Sequence, residues 1–142
     1  MQYDSCVVNI KEWINSPEYM REFENARGKR LPDTGEWLLA LPSYQSWKMF
    51  SYDSVSENKP LPADLSRSIL FLTAKPGYGK TTLSSLIIED LRATSPGGKG
   101  LILFYHFTSD DSMAATGSKA FRAILVQLVH ENRIRKEIID TS

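Results

Sequence analysis

The sequence SILFLTAKPGYGKTTLSSLII, residues 68–88, decides the fold that we predict for this chain. Its first six residues form a short, nearly continuous apolar run, which is the pattern of a strand buried on both faces. From Thr81 onwards, apolar side chains recur at helical spacing and predict a helix over about 81–93. A buried strand, a loop containing glycine and an amphipathic helix in direct succession are typical of parallel α/β folds.

The loop between these two segments reads AKPGYGKTT, residues 74–82, and has the residues of a phosphate-binding loop. Gly77 and Gly79 let the backbone approach an anion, and the following helix turns its amide groups and positive dipole end toward it. Lys80 is expected to reach the β- and γ-phosphates, Thr81 to bind Mg²⁺ and Thr82 to help hold the α-phosphate. The predicted nucleotide-binding residues are Ala74, Lys75, Pro76, Gly77, Tyr78, Gly79, Lys80, Thr81 and Thr82.

The first residue of this loop departs from the usual pattern, which opens with glycine. Ala74 stands at that position, and its methyl group would be strained if the backbone there required a positive φ. The alternative interpretation of the whole segment is a glycine-containing turn that carries a solvated lysine.

A second apolar run, Leu101 to Phe107, predicts another buried strand, and apolar spacing predicts a helix over about 120–129. The resulting order of strand, helix, strand and helix predicts an α/β fold: part of a three-layer P-loop NTPase with parallel strands and crossover helices. We assign residues 1–50 to a helical prefix, 51–65 to a linker and 66–142 to the N-terminal portion of the NTPase domain.

Local signals place three helices in the prefix. Ser16 and Pro17 predict a helix start near residue 17, with an end near Ala26. Asp33, with Glu36 at the N3 position, predicts an N-cap for a helix that Pro42 ends. The third helix is predicted over 43–50.

Hydrolysis would need a further acid to hold Mg²⁺ and orient water. Asp110 and Asp111 follow the second predicted strand, but Thr108 and Ser109 intervene, so a polar loop with a helix cap is the competing interpretation. The catalytic residues therefore stay unassigned. His106 lies within that strand and is interpreted as a structural residue.

Composition excludes several other classes of protein. Lys+Arg and Asp+Glu both number 17, so the formal net charge is zero, which argues against a nucleic-acid partner bound through a broad basic face. One cysteine, Cys6, and two histidines are too few for a Cys/His metal cage. The N-terminus lacks the pattern of a secretory signal, and no apolar run is long enough to span a bilayer. We expect a cytoplasmic protein with no membrane partner.

Three segments together carry a family resemblance: RLPDTGEWLL at 30–39, YQSW at 44–47 and KPGYGKTTLSSLII at 75–88. They resemble fungal NACHT-type signalling NTPases, and more narrowly the nephrocystin-like N-terminal domain. The resemblance implies ATP or GTP with Mg²⁺ in the loop, a base near residues 30–37, and a switch of the STAND class that forms homo-oligomers. Ala74 and Asp33 stand where that family usually has glycine.

The same resemblance implies that the strand carrying the Walker B acid would follow Ser142. We therefore expect a truncated module that binds a nucleoside triphosphate and does not hydrolyse it on its own. Two rival functions stay open at the level of sequence, a small P-loop kinase and a non-catalytic interaction module. Kinases of that kind begin close to their P-loop, whereas here 73 residues precede Ala74.

Overall fold

The computed structural model describes residues 2–54, 66–95, 100–108 and 113–140, with side chains described over 8–51, 66–95, 100–108 and 116–131. Within these ranges the chain forms six α-helices and one short 3-10 helix, Ser66–Ser68. The α-helices are α1 (Gln2–Ile14), α2 (Met20–Lys29), α3 (Glu36–Leu39), α4 (Pro42–Ser54), α5 (Lys80–Thr94) and α6 (Met113–Asp140).

The predicted α/β fold is wrong, because the described residues contain helices and no strand. Both apolar runs expected to be buried strands, 68–73 and 101–107, carry no strand assignment. In the first run Ile69 is 59% exposed and Phe71 is 83% exposed. The three-layer arrangement of parallel strands with crossover helices is therefore not the architecture of this chain.

The physical reason is that a strand forms only by pairing with a neighbour. An apolar run of six residues indicates that the segment favours burial, but it does not provide the neighbouring strand with which its backbone would pair. The sequence offers two such runs, and a sheet of two strands is marginal in water. In the second run, Phe104 satisfies its backbone through a side chain instead: its N–H donates to Gln127 Oε1 at 3.1 Å, and its carbonyl accepts from Gln127 Nε2 at 2.8 Å.

Contacts divide the chain into two compact units, and the first comprises residues 1–23 and 103–142. Its core includes Ile14 of α1 and Ala123 of α6. The rings of Tyr19 and Phe23 lie 5.8 Å and 5.2 Å from the ring of Phe104, measured between centroids. Gln127 of α6 is only 5% exposed and makes a third bond, from Nε2 to the Ala123 carbonyl at 3.0 Å. The amide thus fastens the 103–108 segment to α6.

The second unit comprises residues 24–102 and contains the predicted phosphate-binding loop. Its core consists of apolar side chains from α2, α3 and α5 together with a tyrosine of α4: Ala26, Leu38, Leu86, Ile88 and Tyr44. Arg27 Nε and Arg30 Nη1 contact the Glu89 carboxylate of α5 at 2.9 Å and 2.6 Å. These contacts and the core join the prefix helices to the helix that follows the loop.

Residues 2–54 are largely helical, as predicted, but they contain four helices rather than three: α1 was not predicted, and the boundaries of the others differ. α2 begins at Met20 rather than Pro17, and Pro42 begins α4 instead of only ending the helix before it. The helices expected over 81–93 and 120–129 are confirmed within α5 and α6. Part of the predicted linker, residues 55–65, lies outside the described residues, and the domain boundaries stay a prediction.

Candidate functional site: the loop before α5

The loop expected to bind phosphate connects an irregular segment to the first turn of α5. Gly77 and Gly79 have φ values of 84° and 78°, in the left-handed region that glycine adopts without a steric cost. A Cβ atom at either position would meet nothing within 4 Å, so the backbone is open to solvent there. Gly79 is the N-cap of α5 and has no side chain to cap the helix. The loop therefore presents bare backbone at a helix N-terminus.

Lys80 is the first residue of α5, and its ammonium group is held by the loop itself. Nζ donates hydrogen bonds to the carbonyl oxygens of Ala74 at 2.7 Å and Lys75 at 3.0 Å. These bonds place a cation beside the residues that the pattern assigns to phosphate. Both acceptors are neutral carbonyls, and no carboxylate pairs with this ammonium in the part of the chain that the structure describes.

The first turn of α5 is suited to an anion. The bond from Leu83 N–H to the Gly79 carbonyl, at 2.9 Å, is an i to i−4 bond, and the amides of residues 80–82 precede it. Amides at this position in a helix point out of its N-terminal end and favour negative charge. The turn contains no acidic residue that would oppose such a ligand. Thr81 is exposed and Thr82 is partly buried.

Ala74 is compatible with this loop. Among the described residues, the non-glycine residues with positive φ are Asn15 and Asp33, and Ala74 is not one of them. Because Ala74 does not have a positive φ, its methyl group is not strained.

The upstream segment that carried the family resemblance lies against α5. Gly35 is the N-cap of α3 with φ +87°, and a Cβ atom there would come within 2.9 Å of Leu83 Cδ2 and 3.1 Å of Leu86 Cδ2. The predicted N-cap at Asp33 is wrong: α3 has no side-chain cap bond, and Asp33 adopts a left-handed φ of 60°. The resemblance implies glycine at this position, and glycine would adopt this φ at a lower steric cost than Asp33 does.

A polar cluster that the sequence did not reveal lies further along α5. Tyr44 donates its hydroxyl hydrogen to Asp90 Oδ2 at 2.5 Å, and Lys48 Nζ donates to the same oxygen at 2.6 Å. Tyr44 is fully buried and Lys48 is 9% exposed. The spacing of Tyr44 and Lys48 puts them on one face of a helix, but no sequence signal identifies their partner more than 40 residues away.

The other candidate residues are not part of this site. Asp110 and Asp111 lie outside the described residues. His106 lines a cavity of about 210 Å³ in the first unit, together with Glu18, Arg21, Glu22 and Lys119 among others. Burial lowers the pKa of His106 below its ordinary value, and the Glu22 carboxylate opposes that shift.

No group of three or more His, Cys, Asp or Glu side chains could hold a metal ion in the part of the chain that the structure describes. Across the same residues, no helix is both long enough and apolar enough to cross a membrane.

Comparison with known proteins identifies the family. Vegetative incompatibility protein HET-E-1 of Podospora anserina is 25% identical to this chain over 129 residues, which is 90% of the chain and 8% of that protein. The chain thus spans less than a tenth of that relative's length. No solved structure matches the chain. Residues 33–142, most of the sequence, match the family described as nephrocystin 3, N-terminal, and the chain belongs to that family.

Proposed function

We propose that residues 74–82 bind the phosphates of a nucleoside triphosphate, ATP or GTP, together with Mg²⁺. The observation that carries this proposal is the position of the Lys80 ammonium. It lies at the N-terminal end of α5, on the carbonyls of Ala74 and Lys75. A cation, a helix N-terminus and a backbone free of side chains at Gly77 and Gly79 together form the chemistry that recognises a phosphate chain.

The residues present fit Mg²⁺ only as an ion that arrives with the nucleotide. Mg²⁺ is commonly bound through substrate phosphates, a few protein oxygens and water, rather than through a cage made of protein ligands. The Thr81 hydroxyl, exposed on the first turn of α5, would supply the protein oxygen. Mg²⁺ would neutralise phosphate charge, and Thr81 would fix its position relative to Lys80.

The family and the relative support a role in a larger signalling protein. We propose that this chain forms the nucleotide-binding portion of a NACHT-type NTPase of the STAND class, in which the bound nucleotide controls self-association. The similarity to HET-E-1 covers 8% of that protein, so the proposal concerns only the portion that this chain matches. Hydrolysis is not part of the proposal.

Calorimetry with ATP and GTP, with and without Mg²⁺, tests the proposed function. Lys80→Ala is expected to weaken binding at least about tenfold, or about 1.4 kcal/mol. Lys11→Ala is the matched control, since it removes one lysine from α1, outside residues 74–82, and changes the net charge by the same amount. Equal affinities for Lys80→Ala and the unaltered chain would refute the assignment of the loop.

The role of Thr81 has its own test. Thr81→Ala is expected to abolish most of the gain in affinity that Mg²⁺ provides, while affinity without metal stays close to that of the unaltered chain. Thr81→Ser retains the hydroxyl and is expected to keep the Mg²⁺ dependence. A loss that is the same with and without Mg²⁺ would contradict the role of Thr81 as a metal ligand.

A further inference from the structure

Helix α4 contacts the chain on both sides of the phosphate-binding loop. Trp47 bonds to the segment that leads into the loop, while Tyr44 and Lys48 bond to the helix that leaves it. We call the segment from Ser68 to the loop the upstream arm and α5 the downstream arm. We propose that α4 sets the distance between these two arms and thereby controls phosphate affinity, with Tyr44, Trp47 and Lys48 as positioning residues. We call these three residues the α4 brace. The part of this inference that concerns affinity rests on the proposed nucleotide binding.

The upstream contact fixes the chain shortly before the loop. The indole Nε1–H of Trp47 donates to the Ser68 carbonyl at 3.0 Å. The guanidinium of Arg67, the preceding residue, lies 5.2 Å from the ring centroid of Phe50, also on α4. Ser68 is six residues before Ala74, whose carbonyl holds the Lys80 ammonium. The upstream arm thus begins from a fixed point on α4.

The downstream contact fixes α5. Asp90 is ten residues after Lys80, about 15 Å along the helix axis, and its Oδ2 accepts from both Tyr44 and Lys48. Burying this ion pair costs solvation free energy, so its contribution to stability is small or unfavourable. Two donors on one carboxylate oxygen do, however, restrict where α5 can lie against α4. We therefore interpret the cluster as a determinant of geometry.

The three brace residues form one surface. Tyr44, Trp47 and Lys48 occupy positions i, i+3 and i+4, which share a face of an α-helix. A single rigid helix therefore relates Ser68 to Asp90. The bonds from Lys80 to Ala74 and Lys75 join the same two arms at the loop. A change in the spacing of the arms is therefore expected to shift the Lys80 backbone relative to the carbonyls of Ala74 and Lys75.

Linkage makes the effect reciprocal. If the brace favours the arrangement of the loop that binds phosphate, then a bound nucleotide must stabilise the brace by the same free energy. Weakening the α4 contacts is therefore expected to lower affinity. It is also expected to speed hydrogen exchange of the loop amides when no nucleotide is present.

The experiment compares three single variants of the full chain. Trp47→Phe removes the indole donor and keeps an aromatic ring, and Tyr44→Phe removes only the hydroxyl. Ser51→Ala is the matched control, because it deletes a hydrogen bond within α4, from Ser51 Oγ to the Trp47 carbonyl at 3.0 Å, and not a bond to either arm. Each variant is measured by calorimetry with ATP and Mg²⁺ and by hydrogen exchange over residues 74–83 without nucleotide.

We expect Trp47→Phe and Tyr44→Phe each to weaken ATP binding about threefold to tenfold, the range of one net hydrogen bond. Both are expected to speed exchange in the loop, while Ser51→Ala leaves both measurements unchanged. Loss of thermal stability with unaltered affinity and loop exchange would overturn the proposal and leave α4 a purely structural helix.

The two proposals fail in different ways. If the unaltered chain binds neither ATP nor GTP, the proposed function is refuted. Hydrogen exchange of the loop amides alone then tests whether the α4 brace positions the loop. Faster exchange in both variants supports it, and unchanged exchange overturns it. If Trp47→Phe does not fold, Tyr44→Phe decides the outcome, since removal of one oxygen atom preserves the shape of the core.

Discussion

The contact between α3 and α5 at Gly35 makes a quantitative prediction about stability. In Gly35→Ala, the new methyl group must enter a left-handed backbone at φ +87° and approach Leu83 Cδ2 to 2.9 Å and Leu86 Cδ2 to 3.1 Å. The left-handed conformation costs a residue with a Cβ atom about 1–2 kcal/mol. Both contacts are methyl ends of leucines that can turn aside, so overpacking adds about 1 kcal/mol. We expect a total destabilisation of about 2–3 kcal/mol.

Two further variants separate these contributions. Gly77→Ala also places a methyl group at positive φ, +84°, but with nothing within 4 Å, so it is expected to lose only the conformational part. Gly28→Ala lies within α2 with no neighbour in reach and is expected to be neutral or stabilising by up to about 1 kcal/mol. Urea denaturation of the three variants gives the comparison. If Gly35→Ala loses no more stability than Gly77→Ala, α3 does not rest on α5 as described.

Three other predictions concern single side chains. Gln127→Leu should lower the free energy of unfolding, measured by urea denaturation, by at least about 2 kcal/mol, because it leaves the buried N–H and carbonyl of Phe104 without these hydrogen bonds. A loss below roughly 0.5 kcal/mol, the least expected of one hydrogen bond, would contradict those bonds. Burial lowers the pKa of His106 in the folded chain below its value of about 6.5 in the unfolded chain. The free energy of unfolding should therefore fall as the pH drops below about 6.5, because the unfolded state then binds more protons than the folded state. This slope between pH 7.5 and 5.5 should diminish in His106→Gln, and an equal slope in both proteins would exclude His106 as its source. Asp33→Gly should raise the urea midpoint and Asp33→Val should lower it, since φ is +60° there; the opposite order would show that Asp33 stabilises the turn through its side chain.

The elements that sequence predicted well are those whose signal is local. The apolar spacing after Thr81 predicts a helix over about 81–93, and α5 begins one residue earlier, at Lys80. Gly77 and Gly79 are predicted to let the backbone approach an anion, which stays a prediction, and both have positive φ in the structure. Such features depend on a few consecutive residues, so one sequence contains the information needed to predict them.

The elements that failed depend on partners distant in sequence. The run 68–73 has the composition of a buried strand, but its neighbours decide whether a ladder forms, and Phe71 is exposed instead. The run 101–107 finds its hydrogen-bond partner in Gln127, a side chain that had no predicted role. The carboxylate of Asp90 likewise meets Tyr44 and Lys48 across more than 40 residues. Periodicity cannot identify such pairs, because it describes one segment at a time.

The loss of the predicted strand changes how the phosphate-binding loop must be supported. In a parallel sheet, the strand before such a loop is held by ladder hydrogen bonds to its neighbours. Here the upstream arm is irregular, and Trp47 holds it at Ser68 while Tyr44 and Lys48 hold α5 at Asp90. The α4 brace therefore holds the segment before the loop in position, as ladder hydrogen bonds would in a parallel sheet. If the brace supports the loop in this way, the loop should respond to each brace contact, which is why removal of the single Tyr44 hydroxyl is expected to be measurable at Lys80.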